Sequence, residues 1–263
     1  MFCCLFTSAL FSQKIDTAFS DQWLNNTWKL QGRSVYTYNA ECEAVSILLQ
    51  FWDTTHSVWV NEELYILTYN TNKQLSQTIY QAWNKNSSTW KNTLRVSLIY
   101  NNNNLIDTSL GEIWISNNWK NSSLQTNTYN LDNTIAETLF QNWNNSIWLY
   151  GARSVFSYNS DKTVSQESDD VWNGTSWQSA SRISYTYNGF GKEQISIVET
   201  WYNNQWINNH RTSSTYDGNN YLINSFTEEW ITSSSVWGNS DQTNYINNQS
   251  METPGALPEP AHL

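Results

Sequence analysis

The chain has three histidines, His56, His210 and His262, and no two lie at a spacing that lets them share a metal or serve a nucleophile. Each reads as a surface or loop residue. The run Asn188-Gly189-Phe190-Gly191-Lys192 resembles a phosphate-cradling loop in its glycines and lysine. It lacks the Ser or Thr after the lysine and the full spacing. Asp217-Gly218-Asn219-Asn220 could touch calcium, but one carboxylate is too few to hold the ion. Turn chemistry explains both runs better, and no cofactor or metal is expected.

Carboxylates recur in pairs, Asp169-Asp170 and Glu228-Glu229. Paired carboxylates can cleave glycosides by acid–base chemistry. Here, however, they belong to a column that recurs along the chain: Gln50, Gln81, Glu112, Gln141, Asp170, Glu199 and Glu228. Gln cannot transfer a proton, so a column that alternates between Gln and acid is not chosen for catalysis. Its expected role is to accept the indole N–H of a neighbouring Trp, which needs a partner when buried. A second column, Arg33, Arg95, Arg153, Arg182 and Arg211, either forms an anion-binding strip or pairs with carboxylates and stacks on rings. Pairing is the commoner use of such residues. The chain is therefore read as a non-enzyme, with a polysaccharide-acting enzyme as the remote alternative.

Stacking is the remaining chemistry. The chain has 16 Trp and 15 Tyr. Exposed, such rings stack on sugars or on a partner protein. Buried, they are a core, at roughly 150–250 Å² per ring. Core is the expected role for most of them, since the chain has little other apolar material. The candidates for ligand contact are Trp143, Trp148, Trp172, Trp177, Trp201 and Trp206, with Tyr158 and Tyr187.

What must position these rings is a repeat. The tryptophans fall into eight pairs: Trp23/Trp28, Trp52/Trp59, Trp83/Trp90, Trp114/Trp119, Trp143/Trp148, Trp172/Trp177, Trp201/Trp206 and Trp230/Trp237. First members recur every 29 or 31 residues. Each pair is followed by a tyrosine (Tyr38, Tyr69, Tyr100, Tyr129, Tyr158, Tyr187, Tyr216, Tyr245), and the next first Trp always lies 14 residues beyond it. The 31-residue steps arise where the gap inside a Trp pair grows by two, as at Trp52/Trp59. Length change confined to one place marks a loop, so the segment inside each pair is a hairpin tip, typified by Asn144-Asn145-Ser146-Ile147 and Asn173-Gly174-Thr175-Ser176. The Asn- and Asp-rich stretches after each Tyr, such as Asn159-Ser160-Asp161-Lys162, are the turns to the next repeat.

Alternation marks the segments between turns as strands. Two steps of two before the first Trp stand Leu48, Ile79, Leu110, Leu139, Ile197 and Phe226, with Ser168 the exception. The second Trp and the Tyr lie ten residues apart, so strict alternation puts them on one face with Tyr36, Leu67, Leu98, Phe156 and Tyr185. The arginines, with Ser and Thr between them, then fall on the other face. The expected fold is all-β: an extended, coiled antiparallel array of eight two-strand hairpins over residues 14–250. Coiling is expected because sixteen strands laid flat would span roughly 75 Å, and sheets twist.

With 13 Lys plus Arg against 23 Asp plus Glu, the net charge is −10, which leaves no basic patch for nucleic acid. No apolar run is long enough for a spanning helix. Residues 1–13, MFCCLFTSALFSQ, resemble the apolar core and cleavage region of a signal peptide without its basic start. Cleavage near Ser12–Gln13 would remove Cys3 and Cys4 and leave only Cys42, so no internal disulfide framework is expected. Residues 251–263 read as a disordered tail.

The patterns in Trp201-Tyr202-Asn203-Asn204-Gln205-Trp206 and Arg182-Ile183-Ser184-Tyr185-Thr186-Tyr187-Asn188 resemble the Trp/Tyr β-hairpin repeats of secreted Bacteroidetes-type proteins. The Tyr-Asn/Asp turn is more loosely similar to tyrosine-aspartate repeats of bacterial surface and toxin-shell proteins, whose period is shorter. The resemblance covers about residues 21–250. It implies export and an extended β-array, and it implies no activity. The functional expectation is a secreted or cell-surface scaffold, adhesin-like, for a polysaccharide or a protein partner. The competing architecture is a 16-stranded outer-membrane barrel, disfavoured because Gln or Glu interrupts the aliphatic column that a lipid-facing band needs.

Overall fold

The computed structural model describes residues 15–24 and 27–245. The proposed signal segment and tail lie outside them. Eight hairpins follow one another: β1 (Thr17–Leu24) with β2 (Thr27–Tyr38), β3 (Ala44–Asp53) with β4 (Val58–Tyr69), β5 (Leu75–Asn84) with β6 (Thr89–Tyr100), and β7 (Ile106–Ile115) with β8 (Asn118–Tyr129). Then come β9 (Ile135–Asn144) and β10 (Ile147–Tyr158), β11 (Val164–Trp172) and β12 (Trp177–Tyr187), β13 (Glu193–Tyr202) and β14 (Gln205–Tyr216), and β15 (Leu222–Ile231) and β16 (Val236–Asn244). No helix occurs among the described residues.

The strand order of the sixteen-stranded sheet is the chain order. A closed barrel requires the first and last strands to pair. Here β1 and β16 are the two ends of the order, so the sheet is open and the barrel reading is not supported. The chain forms two compact units, Met1–Asn133 with Thr138–Gly151, and Thr134–Glu137 with Ala152–Leu263. Within each, substantial contacts join consecutive strands, and the sheet does not curl over itself. This corrects the expected core: among the described residues no hydrophobic side chain is buried. The tryptophans from Trp52 to Trp237 are half-buried. The single layer is held by contacts within its own faces.

Two kinds of turn set the register. At the tips, Ser116-Asn117 and Asn203-Asn204 both carry positive φ at each residue (52° and 58°, 50° and 61°). This is the mirror-image turn whose twist matches that of the flanking strands. The longer tips end on one left-handed residue, Ser57, Ser88 or Ser235. At the other end, the Asn or Asp after the Tyr anchors the turn with its side chain, as at Asn39, Asn70, Asn101, Asn159, Asn188 and Asp217. Asn101 Oδ1 accepts the N–H groups of Asn103 and Leu105, and Asp217 Oδ1 accepts those of Asn219 and Tyr221. The fourth residue of these turns is left-handed: Cys42, Lys73, Asn104, Asn133, Lys162, Gly191 or Asn220. The Tyr itself closes the open end of its hairpin. The hydroxyls of Tyr69, Tyr100, Tyr129, Tyr158, Tyr187 and Tyr216 donate to the carbonyls of Ala44, Leu75, Ile106, Ile135, Val164 and Glu193, each the first residue of the preceding strand, at 2.6–2.9 Å.

The faces differ from simple alternation. In β3 and β4, Gln50 pairs with Asn61 but Leu49 pairs with Glu63, so Glu62 is an extra residue. The same β-bulge follows the second Trp in the other hairpins whose strands lie within one unit, as between Tyr80/Gln81 and Val198/Glu199. One extra residue moves everything beyond it to the opposite face. The second Trp therefore shares its face with the arginines. The Tyr column, with Tyr36, Leu67, Leu98, Phe156 and Tyr185, lies on the other. The expected assignment of these two columns is corrected accordingly.

Candidate functional site: a face of paired indoles

The Trp-bearing surface, here the front face, is built from one unit repeated. The two tryptophans of a hairpin are direct cross-strand neighbours. In the seven described pairs their ring centroids lie 4.9–5.2 Å apart, with interplanar angles of 63–70°. The positive edge of one indole meets the negative face of the other, which stabilises each hairpin by about 0.5–1.5 kcal/mol beyond the area it covers.

Consecutive hairpins are joined on the same face by arginine. Arg95 lies in register with Glu112 of the next hairpin and forks onto it, Nε to Oε2 at 2.6 Å and Nη2 to Oε1 at 2.7 Å. Arg182 binds Glu199, and Arg211 binds Glu228, in the same two-pronged way. Arg153 meets Asp170 at 2.9 Å and also reaches Glu137 at 3.4 Å. Arg33 donates to the Gln50 amide oxygen at 2.7 Å. Each guanidinium then lies over the second indole of the next hairpin. Arg33, Arg95, Arg153, Arg182 and Arg211 cover Trp59, Trp119, Trp177, Trp206 and Trp237 at 4.5–4.9 Å from the ring centroid. The acids of the column thus accept from arginine rather than from an indole, which corrects the role expected for them. The fork shows in their titration: Arg211 holds the Glu228 carboxyl below the usual carboxylate range, and Glu199 raises the Arg182 guanidinium further.

Of the expected contact residues, Trp143/Trp148, Trp172/Trp177 and Trp201/Trp206 stand on the front face as half-buried pairs. Tyr158 and Tyr187 stand on the back face near the opposite ends of their hairpins, with hydroxyls engaged to backbone. The structure does not bring the tyrosines to the tryptophans. Stacking on rings was one of the uses expected of the Arg column; the pairing of each arginine with one particular indole was the part least visible in the sequence. Its signal was the fixed spacing of 24 or 26 residues from each Arg to the indole it covers.

The back face carries a different set of groups. In the second unit, Asp169 accepts from Ser154 Oγ at 2.6 Å and Ser181 Oγ at 2.8 Å. Burial, and then the charge of Asp169, pushes the Glu167 carboxyl up. In the first unit, Tyr65 donates to Glu63 at 2.5 Å and packs edge-on against Tyr80 at 4.9 Å. The Glu63 carboxylate, with burial, pushes the Tyr65 phenol up to about 12. His56 meets Asp53 at 2.7 Å on an exposed tip, and no group of three or more metal-ligating side chains comes together among the described residues.

No protein-family model and no curated protein sequence matches the chain. Among solved structures it is similar to a DUF3836 family protein from Bacteroides vulgatus, at 18% identity and a TM-score of 0.27, over 41% of this chain and 91% of that one. It is similar to a porin-like protein from Bacteroides uniformis, at 10% identity and a TM-score of 0.35, over 68% of this chain and 87% of that one. It is also similar to a chain of the TcdB2-TccC3-TEV structure, at 12% identity and a TM-score of 0.34, over 85% of this chain and 13% of that one. At these scores none of the likenesses carries an argument about this chain.

Proposed function

We propose that this chain is an exported, cell-surface repeat scaffold that holds an extended partner, a polysaccharide or a surface protein, along its Trp face. One observation carries the reading. The same front-face unit of two indoles recurs with the period of the hairpin, so the surface is itself periodic and suits a partner that repeats. Half-buried rings supply stacking area, and an array of short-range contacts tolerates added or lost repeats. The N-terminal apolar segment and the likeness to secreted Trp/Tyr repeats support export. The outcome tested is capture on an array of polysaccharides and immobilised surface proteins. Binding by the purified chain, weakened by Trp143→Ala in a folded variant, is expected. A chain that captures nothing on either array would reduce the reading to a structural spacer.

A further inference from the structure

Two of the seven described indole pairs are built differently. The position that carries arginine in the other repeats is Leu64 ahead of Trp83/Trp90, and Leu124 ahead of Trp143/Trp148. At both places the acid column changes as well, to Gln81 and Gln141. Leu64 lies directly opposite Gln81 in the sheet. Arginine extends Cδ, Nε and Cζ beyond Cγ and so reaches over the next indole, whereas leucine stops at Cδ. The faces of Trp90 and Trp148 therefore carry no guanidinium. Where arginine is present, its N–H groups consume the acceptor of the column, as Arg33 does with Gln50. Gln81 donates to Asn92 Oδ1 at 2.8 Å, as Gln50 does to Asn61 at 2.7 Å, but it stands opposite Leu64, so its own oxygen receives no guanidinium bond. Beside Trp148 stands Tyr150, 47% exposed, two residues further along the same strand.

From this we infer that the two neutral units, Trp83/Trp90 with Gln81 and Asn92, and Trp143/Trp148 with Tyr150, are the places where the array binds its ligand, and that the ligand is a neutral hexose polymer. The inference rests on the scaffold reading above and deepens it. An indole without a guanidinium over it, flanked at Trp83/Trp90 by the Gln81 and Asn92 amides and at Trp143/Trp148 by the Tyr150 phenol, suits a sugar, which offers C–H groups on one side and hydroxyls around its rim. On the front face neither unit carries a charge to attract an acidic polymer, since Lys91 pairs with Ala82 on the back face and Lys85 lies over Phe51 there, in a chain whose net charge is −10. Both units fall in the first compact unit. They are four strands apart, about 19 Å at the usual strand spacing. One polymer chain long enough to span that distance engages both, and an oligosaccharide too short to span it engages one. The Arg-covered units, such as Trp114/Trp119 between them, hold neighbouring hairpins together.

The test moves the arginine cap. Leu64→Arg with Gln81→Glu rebuilds the fork seen at Arg95 and Glu112 and covers Trp90, and Leu124→Arg with Gln141→Glu does the same for Trp148. Binding to an array of neutral and acidic glycans, followed by titration of the best neutral polymer with tryptophan fluorescence as readout, is compared with wild type. Each capped variant is expected to fold, by circular dichroism and thermal melting, and to lose at least tenfold in affinity. Capping both is expected to abolish binding. The reverse change, Arg95→Leu with Glu112→Gln, opens Trp119 and is expected to tighten binding of long polymers. Neutral-polymer binding that survives both caps overturns the inference and leaves the scaffold reading standing. So does wild-type binding to acidic polymers alone. A wild-type chain that captures proteins but no glycan overturns the inference alone, and one that captures nothing overturns both.

Discussion

On the back face of the first unit, Ile47 lies opposite Tyr65 and Phe51 opposite Val60, with Leu94, Val96 and Leu98 on the following hairpin. On the back face of the second, Asp169 lies between Ser154 and Ser181, and Thr212 meets Thr227 at 3.2 Å. The two front faces, by contrast, share the same indole pairs at the same distances and angles. A backbone that accepts either an apolar or a hydroxyl-rich back face does not depend on that face for its shape. The common frame is the front-face ladder, the tyrosine hydroxyl bonds and the Asn/Asp turns. The back face is then free to differ from one part of the array to another.

Removing half of an indole pair attacks that frame directly. Trp83→Ala in the first unit and Trp201→Ala in the second are expected to cost similar amounts, about 2–3 kcal/mol each, from lost area and lost ring contact. Chemical denaturation of each variant measures it, and a large difference between the two would show that the frame is not common. The back faces should respond unequally. Leu49→Ser, in the apolar region, is expected to cost about 1–2 kcal/mol, whereas Thr227→Val is expected to stay within about 0.5 kcal/mol of wild type. Equal costs would erase the contrast drawn between the units.

The tyrosine bonds give a smaller and uniform effect. Tyr100→Phe and Tyr187→Phe each remove one hydroxyl bond to backbone, and each is expected to lower stability by about 1 kcal/mol, read from the shift in denaturation midpoint. The remaining effect is a titration confined to the first unit. The Tyr65 phenol, pushed up to about 12 chiefly by its bond to the Glu63 carboxylate, holds its proton more tightly folded than unfolded. The stability this adds is fully present below pH ~10, the ordinary phenol value, and is lost as pH rises through about 12. Difference absorbance should place the Tyr65 transition near 12, and Glu63→Gln should return it toward the ordinary range. An unchanged transition in that variant would remove Glu63 as the cause.

Much of the fold was legible in the residues. The Trp and Tyr periods, the even length change inside Trp52/Trp59 and Trp83/Trp90, and the Asn or Asp after seven of the eight Tyr determined eight hairpins, their tips and their turns. Local chemistry suffices for these: left-handed φ at Asn203 and Asn204, and an Asn or Asp side chain that accepts nearby N–H groups, act within a few residues. The identity of the Arg and Gln/Glu columns was equally plain. Their partnership was not. Only the tertiary structure decided which face each column occupies, because a single extra residue such as Glu62 reverses every side chain beyond it and leaves no mark on the spacing of Trp and Tyr. That reversal placed Arg182 over Trp206 and against Glu199, and sent Tyr187 to the back. Burial, too, was settled only in three dimensions. Sixteen tryptophans argue for a core, yet the sheet stays a single layer, in which each indole of the seven described pairs is covered by its cross-strand partner and most second indoles by an arginine from the hairpin before.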